Sequence, residues 1–239
     1  TRHSPIVRVI KGLILDGRIG DVLEVRIRGK EDSHRGGGED LWVLGTHMLD
    51  LADMLFGEVE SCFATVRENG EPVSKKHVKP GNEGIGPLAG DHIQATYQFK
   101  NGVNGFFASK RGAGGSPTRF GLRIVGSKGQ IHLQSGYGRT AYILEDSSWS
   151  PGQSGSKWQP NSSNGVGKPE AITSDSHDGG NTSAAIDLIS SIENERQPLS
   201  SMYNARAATE LIVAVFESHR LGQPVTLPLK TRENPLTLL

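Results

Sequence analysis

His47 and Asp50 stand three residues apart in RGGGEDLWVLGTHMLDLADMLFG, residues Arg35 to Gly57. On a helix that spacing puts both side chains on one side. Imidazole accepts a proton near neutral pH, and an ionised aspartate can bind hydroxyl groups. The pair therefore suits a reaction in which a base takes a hydroxyl proton while hydride leaves the same carbon. Met48, Leu51, Ala52 and Leu55 give this helix a core-facing stripe, with Gly45 or Thr46 as its cap and Gly57 just beyond its end. In a first turn the positive end of the helix dipole disfavours imidazolium and favours an ionised Asp50. The same pattern also fits a satisfied core histidine beside an aspartate that only compensates the dipole.

Other polar clusters are thinner. SDSHDGGN at 174–181 carries Asp175, His177 and Asp178 ahead of a helix, as in some metal or substrate sites, but a polar capping turn is the simpler reading. The eight histidines show no pairing at i, i+4 and no HxH, so no metal is expected. The single cysteine, Cys62, lies in the alternating segment VESCFATV, where a small buried residue is the simpler reading; it excludes an internal disulfide and suits a reducing, cytoplasmic setting.

The elements that must position these groups read as one sheet-based domain. Ile6 to Leu15 forms a helix ended by DGRIGD, and VLEVRIR alternates as a half-buried strand. HIQATYQF, the KNG turn at 100–102 and VNGFFASKR give the strongest hairpin signal, and RFGLRIV, QIHL and TAYIL continue the strands. Glu68 to Gly90 reads as a loop. Half of the 36 residues from Glu145 to Gly180 are Ser, Gly or Pro, yet the segment holds Trp149 and Trp158, so an ordered excursion pinned by those rings is expected. Two helices follow. The first has Ala185, Ile189 and Ile192 at helical spacing; the second runs from about Tyr203 to Leu221 with Ala208, Leu211, Ile212 and Val215 as its stripe, before a final strand PVTLPL.

The totals exclude several classes. Lys plus Arg and Asp plus Glu are both 26, so no summed field favours nucleic acid or an anionic membrane, and Lys75, Lys76 and Lys79 read as a solvated loop. No run approaches the roughly 20 apolar residues of a membrane span. A dinucleotide fold needs a strand, a glycine turn, a helix and an acidic residue about 20 positions on. Neither Gly36 to Gly38, GNEGIGPLAG nor RGAGGSP has that arrangement, so no cofactor is expected for this chain alone.

The entry RHSPIVRVIKGLILDGRIGDVLEVRIR, the GGG followed by GTHMLDLADMLFGEVESCFATV, the strand-rich middle and the ending AATELIVAVFESHRLGQPVTLPL occur in an order that resembles the second domain of the Gfo/Idh/MocA oxidoreductases. The resemblance covers nearly the whole chain. It implies an α+β fold, a large open, mostly antiparallel sheet flanked by helices, like the C-terminal domain of glyceraldehyde-3-phosphate dehydrogenase. It also implies a Rossmann domain ahead of Thr1 that binds NAD or NADP, with residues 1–15 as the linker helix from it. A sugar, cyclitol or related polyol is the implied substrate, and the sheet the implied homo-oligomer contact.

Carried onto this sequence, the family's Asp-x-Gly-x-His pattern makes His47 the implied catalytic group and Asp50 an implied substrate contact. Arg2 and His3 fall where the family's chain passes between domains, so Arg2 is an implied hydroxyl contact, with His177 and Arg35 further candidates. The family's aspartate is replaced by Val43, and GGGEDLWVLGTH is one residue longer than the family spacing. Glu39 or Asp40 would have to swing in to replace that carboxylate, which normally orients the imidazole and raises its basicity. That departure keeps open a relative that uses NAD for glycoside cleavage or elimination. A non-enzymatic sheet that mediates association or binds carbohydrate is the third reading.

Overall fold

The structure, a computed structural model, describes residues 1–115, 119–135, 140–148, 153–172 and 180–239. Its strands build a large, mostly antiparallel sheet of eleven, as the α+β reading expects. The chain divides into two compact units, Thr1–Glu24 with Leu122–Ala205, and Val25–Gly121 with Arg206–Leu239. No helix among the described residues is long and apolar enough to cross a membrane.

In the first unit α1 (Pro5–Leu15) starts on a proline suited to a first helical turn and buries Ile6, Val7, Ile10 and Leu13. The strand β1 (Val22–Arg28) begins here and continues into the second unit. DGRIGD then docks on the GSKG turn. Ser127 N donates to Asp21 O at 2.9 Å and Lys128 N to Ile19 O at 2.8 Å. A Cβ on Gly126 would stand 2.2 Å from Ile19 O, so the close approach requires glycine.

Strands β8 (Gly121–Gly126), β9 (Gln130–Gln134), β10 (Thr140–Leu144), β11 (Gln159–Ser162) and β12 (Gly165–Val166) follow in hydrogen-bonded order. The Ser/Gly/Pro-rich excursion thus adds two strands to the sheet. Trp158 precedes β11 with the Arg123 guanidinium 5.8 Å from its ring centre, and Trp149 lies outside the described residues. Helix α4 (Gly180–Glu193) comes next, and the start of α5 (Met202–Leu221) closes the unit.

The second unit is built on β2 (Val59–Glu68), β6 (His92–Phe99) and β7 (Asn104–Lys110). Phe63 pairs with Thr96 and Thr96 with Phe106, so the register follows the period-two pattern of the sequence. Between β2 and β6, the stretch that reads as a loop contains only the two-residue strands β3 (Glu71–Pro72), β4 (Lys79–Pro80) and β5 (Pro87–Leu88) and two short 3-10 turns.

Helix α5 buries Ala208, Leu211, Ile212 and Val215 as its spacing predicts. Tyr97 donates its hydroxyl to Leu211 O at 3.1 Å, and Ser218 Oγ accepts from Ala64 N at 3.0 Å. His219 is fixed between Val66 N at 3.2 Å and Val73 O at 2.9 Å, which makes it a structural histidine with its proton on Nε2. The final strand β13 (Val225–Thr226) is short and pairs with β2. Cys62 is 1% exposed, and burial pushes its thiol far above the ordinary range, as a core residue requires.

Candidate functional site

The helix carrying His47 and Asp50 does not start at Gly45. A three-residue α2 (Gly38–Asp40) runs into a π-turn over Leu41–Gly45 and then directly into α3 (Thr46–Phe56). Gly45 and Thr46 both have right-handed helical backbone angles, so neither caps. A π-turn accommodates one residue more than an α-turn in the same path. Such a turn has room for the one residue by which GGGEDLWVLGTH exceeds the spacing that the resemblance implies.

Two consequences follow. The positive end of the helical run lies at Gly38, so the dipole argument for His47 and Asp50 loses its basis, because that field fades within a turn. The core stripe keeps its phase: Met48, Leu49, Leu51 and Ala52 are 0% exposed, whereas Leu55 is only half-buried and Phe56 at 5% does its work. Phe56 meets Phe99 edge to face at 5.8 Å. His47 then faces solvent and Asp50 is half-buried, on the opposite side of the helix from that core.

The three glycines ahead of the π-turn have a packing reason. A Cβ on Gly36 would stand 2.1 Å from Arg111 Cα, one on Gly37 2.4 Å from Gly90 O, and one on Gly38 2.3 Å from Ala89 O. Gly37 also has φ of 85°. The trio presses against two other backbone segments, and Gly38 N donates to Gly90 O at 2.9 Å. It therefore does not fit a phosphate cradle, which needs open space above the glycines and free N–H groups.

Asp40 does not reach toward His47. It is 1% exposed and accepts from Ser109 Oγ at 2.5 Å and from the backbone N–H groups of Lys30 and Glu31, each at 3.1 Å. Burial raises its carboxyl above the usual range, with Ser109 and the two N–H groups pulling the other way. Beside it Glu31, also 1% exposed and held at φ of 59°, accepts from Lys110 N at 3.1 Å and Arg119 Nη2 at 2.7 Å. Glu39 is 6% exposed and accepts from Asn82 Nδ2 at 3.1 Å. Both carboxylates named as replacements for the family aspartate are spent on the scaffold.

This buried network was not singled out from the sequence. One signal was available: in VNGFFASKR the inward positions Val103, Gly105 and Phe107 continue to Ser109, a hydroxyl at a core register.

Of the other candidates, Arg35 pairs with Glu83 at 2.6 Å on the surface. Arg2 lies in the first unit and is 5% exposed, and His3 beside it is 8% exposed with Nε2 3.2 Å from Ser200 Oγ. Burial lowers the pKa of His3. His177 lies outside the described residues, as do Asp175 and Asp178. Among the described residues no group of three His, Cys, Asp or Glu is assembled that could hold a metal.

Comparison with known proteins agrees with this architecture. The chain is similar in structure to levoglucosan dehydrogenase in complex with NADH and levoglucosan, with a TM-score of 0.70 at 20% identity over 95% of this chain and 64% of that one. It is also similar to aldose-aldose oxidoreductase from Caulobacter crescentus complexed with glycerol, with a TM-score of 0.64 at 18% identity over 95% and 62%. An oxidoreductase from Agrobacterium radiobacter in complex with NAD+, L-tartaric acid and magnesium gives 0.62 at 17% identity over 94% and 62%. The chain thus spans less than two thirds of the length of these structures. No curated protein matches its sequence. The family described as "Oxidoreductase family, C-terminal alpha/beta domain" matches residues 11–227, and the chain therefore belongs to the C-terminal domain family of the Gfo/Idh/MocA oxidoreductases.

Proposed function

We propose that residues 1–239 are the substrate-binding part of an NAD(P)-dependent oxidoreductase acting on a sugar, cyclitol or related polyol. A dinucleotide-binding domain joined ahead of Thr1 would complete the enzyme. The single observation that carries this reading is His47: a solvent-facing imidazole on a helix whose other side is sealed, at the position that the resemblance to the family's Asp-x-Gly-x-His pattern implies. Levoglucosan dehydrogenase is in complex with NADH and levoglucosan, the Agrobacterium radiobacter oxidoreductase with NAD+ and L-tartaric acid, and the aldose-aldose oxidoreductase with glycerol, which supports the substrate class.

In this reading the nicotinamide supplies hydride acceptance from outside these residues. His47 takes the hydroxyl proton, and Asp50, one turn on along the same side of α3, accepts hydrogen bonds from neighbouring hydroxyls. Arg2 and His177 enter as further hydroxyl contacts. The solvent face of the second unit, where Phe63 and Phe106 are 43% and 39% exposed around Thr96, is the proposed self-association surface.

The experiment is His47→Ala in the full-length protein. Turnover should fall by about 10²–10⁴-fold, as for loss of a general base, with NADH affinity unchanged. Unaltered turnover would remove His47 from the chemistry and favour a sheet that binds or associates without catalysis.

A second reading rests on Val43, which offers no carboxylate where the family has one. A histidine without that group is a weaker base for net oxidation. In this alternative a bound NAD would supply only transient oxidation, while these residues would hold a glycoside that is cleaved or a substrate from which a group is eliminated. Net NADH release marks the first reading, and sugar release without net NADH the second.

A further inference from the structure

The alternation that buries one side of β8, β9 and β10 leaves the other side open. Leu122, Ile124, Ile131, Leu133, Ala141 and Ile143 are at most 2% exposed, so Arg123, His132 and Tyr142 between them point the opposite way. Tyr142 stands opposite His132 on one neighbouring strand and Pro160 on the other. The GSKG turn, closed by Gly126 N donating to Gly129 O at 2.8 Å, returns β8 against β9 and continues the row to Arg123. Trp158, two residues before Pro160, falls on the same side, with the Arg123 guanidinium 5.8 Å from its ring centre.

This face differs in kind from that of the second unit, which offers the phenyl rings of Phe63 and Phe106 around Thr96. Here each ring has a polar edge. Trp158 and Tyr142 are 40% and 38% exposed and carry an indole N–H and a hydroxyl. Burial, and then the Arg123 charge, lower the pKa of His132, so its imidazole is neutral and offers one donor and one acceptor. Arg123 has no carboxylate partner among the described residues; its one recorded contact of that kind is the Trp158 ring. A guanidinium stacked on a ring keeps its fork of donors for a carboxylate.

We propose that Arg123, His132, Tyr142 and Trp158 form a binding site for a uronate unit of an acidic carbohydrate. Its carboxylate pairs with Arg123, the flat C–H face of its ring packs on an aromatic side chain, and its hydroxyls meet His132 and the Tyr142 hydroxyl. Adjacent strands lie about 4.8 Å apart, so the four strands of the row span about 14 Å, room for a disaccharide. A nucleic acid strand brings a charge with every nucleotide and needs a track of cations, whereas this row has one. A second copy seated here would bury a guanidinium that no carboxylate of the row neutralises, which is unfavourable. The site belongs to the first unit and does not depend on the role proposed for His47 in the second.

The test is calorimetric titration of the full-length protein with digalacturonate, with its dimethyl ester as the neutral probe. The acid should bind at least about ten-fold more tightly than the ester, and its affinity should fall as salt rises. Arg123→Gln should erase the preference for the acid, Trp158→Ala should weaken both probes at least about ten-fold, and His47→Ala should leave the binding intact. Should Trp158→Ala fail to fold, Arg123→Gln decides alone, because it alters an exposed side chain. No heat at millimolar digalacturonate, or equal affinity for acid and ester, overturns the proposal. Binding that is lost in His47→Ala and kept in Arg123→Gln also overturns it and assigns the acid to the substrate site. Adenosine monophosphate binding that Arg123→Gln weakens, without sugar binding, overturns it in favour of a nucleotide. Dissociation of an oligomer by Trp158→Ala, without sugar binding, overturns it in favour of a second copy.

Discussion

Helices α3 and α4 carry equally regular aliphatic stripes and treat them in opposite ways. In α3 the stripe Met48, Leu49, Leu51 and Ala52 is sealed, and the polar side with His47 meets solvent. In α4 the serines and Asp187 face inward and the isoleucines face out. Periodicity states that one face of a helix is to be covered; it does not state by what. The difference lies in the polar partners. Asp187 finds Arg196 and a backbone N–H inside its unit, whereas on α3 it is the apolar side that is sealed.

The comparison can be broken most sharply at His47. In the full chain His47→Ala should lower turnover by about 10²–10⁴-fold, read by steady-state kinetics, while Ile189→Ala should leave the chemical step alone. A variant of His47 that turns over normally would reduce α3 to a scaffold helix.

Stability gives the next contrast. Leu51→Ala removes a fully buried side chain and should cost about 2–5 kcal/mol in urea unfolding of residues 1–239, whereas Ile189→Ala, more than half exposed there, should stay within about 0.5 kcal/mol. Equal losses would mean that the isoleucine side of α4 is covered in solution. Gly37→Ala belongs with Leu51→Ala. It combines a positive φ with a 2.4 Å approach to Gly90 O, and a loss of about 3 kcal/mol is expected, against little change for Gly12→Ala, which has open space and ordinary helical angles in α1.

A smaller effect concerns the network that anchors the π-turn. The folded-state pKa of Asp40 is raised by burial, so the folded protein holds a proton that the unfolded chain has released. Its contribution is therefore greatest below the unfolded carboxylate value and is lost as pH rises through the folded one. Ser109→Ala removes a donor to the ionised form. It should push that pKa higher, cost about 1–2 kcal/mol near neutral pH and cost less near pH 4. Urea midpoints at the two pH values measure it, and a pH-independent loss would mean that Asp40 does not titrate in the folded state.

Much of the fold was legible because it depends on local chemistry. The alternation of HIQATYQF and VNGFFASKR around Asn101-Gly102 reads directly as β6 and β7, and the stripe of α5 as its buried side. The start of α3 was not legible. A π-turn has no distinctive composition, and the extra residue in GGGEDLWVLGTH showed itself only as a spacing mismatch. The Ser/Gly/Pro-rich excursion was expected to be ordered, but that it adds β11 and β12 depends on pairing with β10, a partner distant in sequence.

The sequence by itself determined the hairpins, the helix stripes, the reason for Cys62 to be buried and the placement of His47 three residues before Asp50, because period and turn chemistry act over a few residues. Only the tertiary structure decided that the three glycines clamp backbone to backbone, that Asp40 serves Ser109 and the Lys30–Glu31 N–H groups, and that α4 turns its isoleucines outward. Those outcomes depend on which distant groups are near enough to satisfy a buried carboxylate or exclude a methyl group, and no local pattern encodes that.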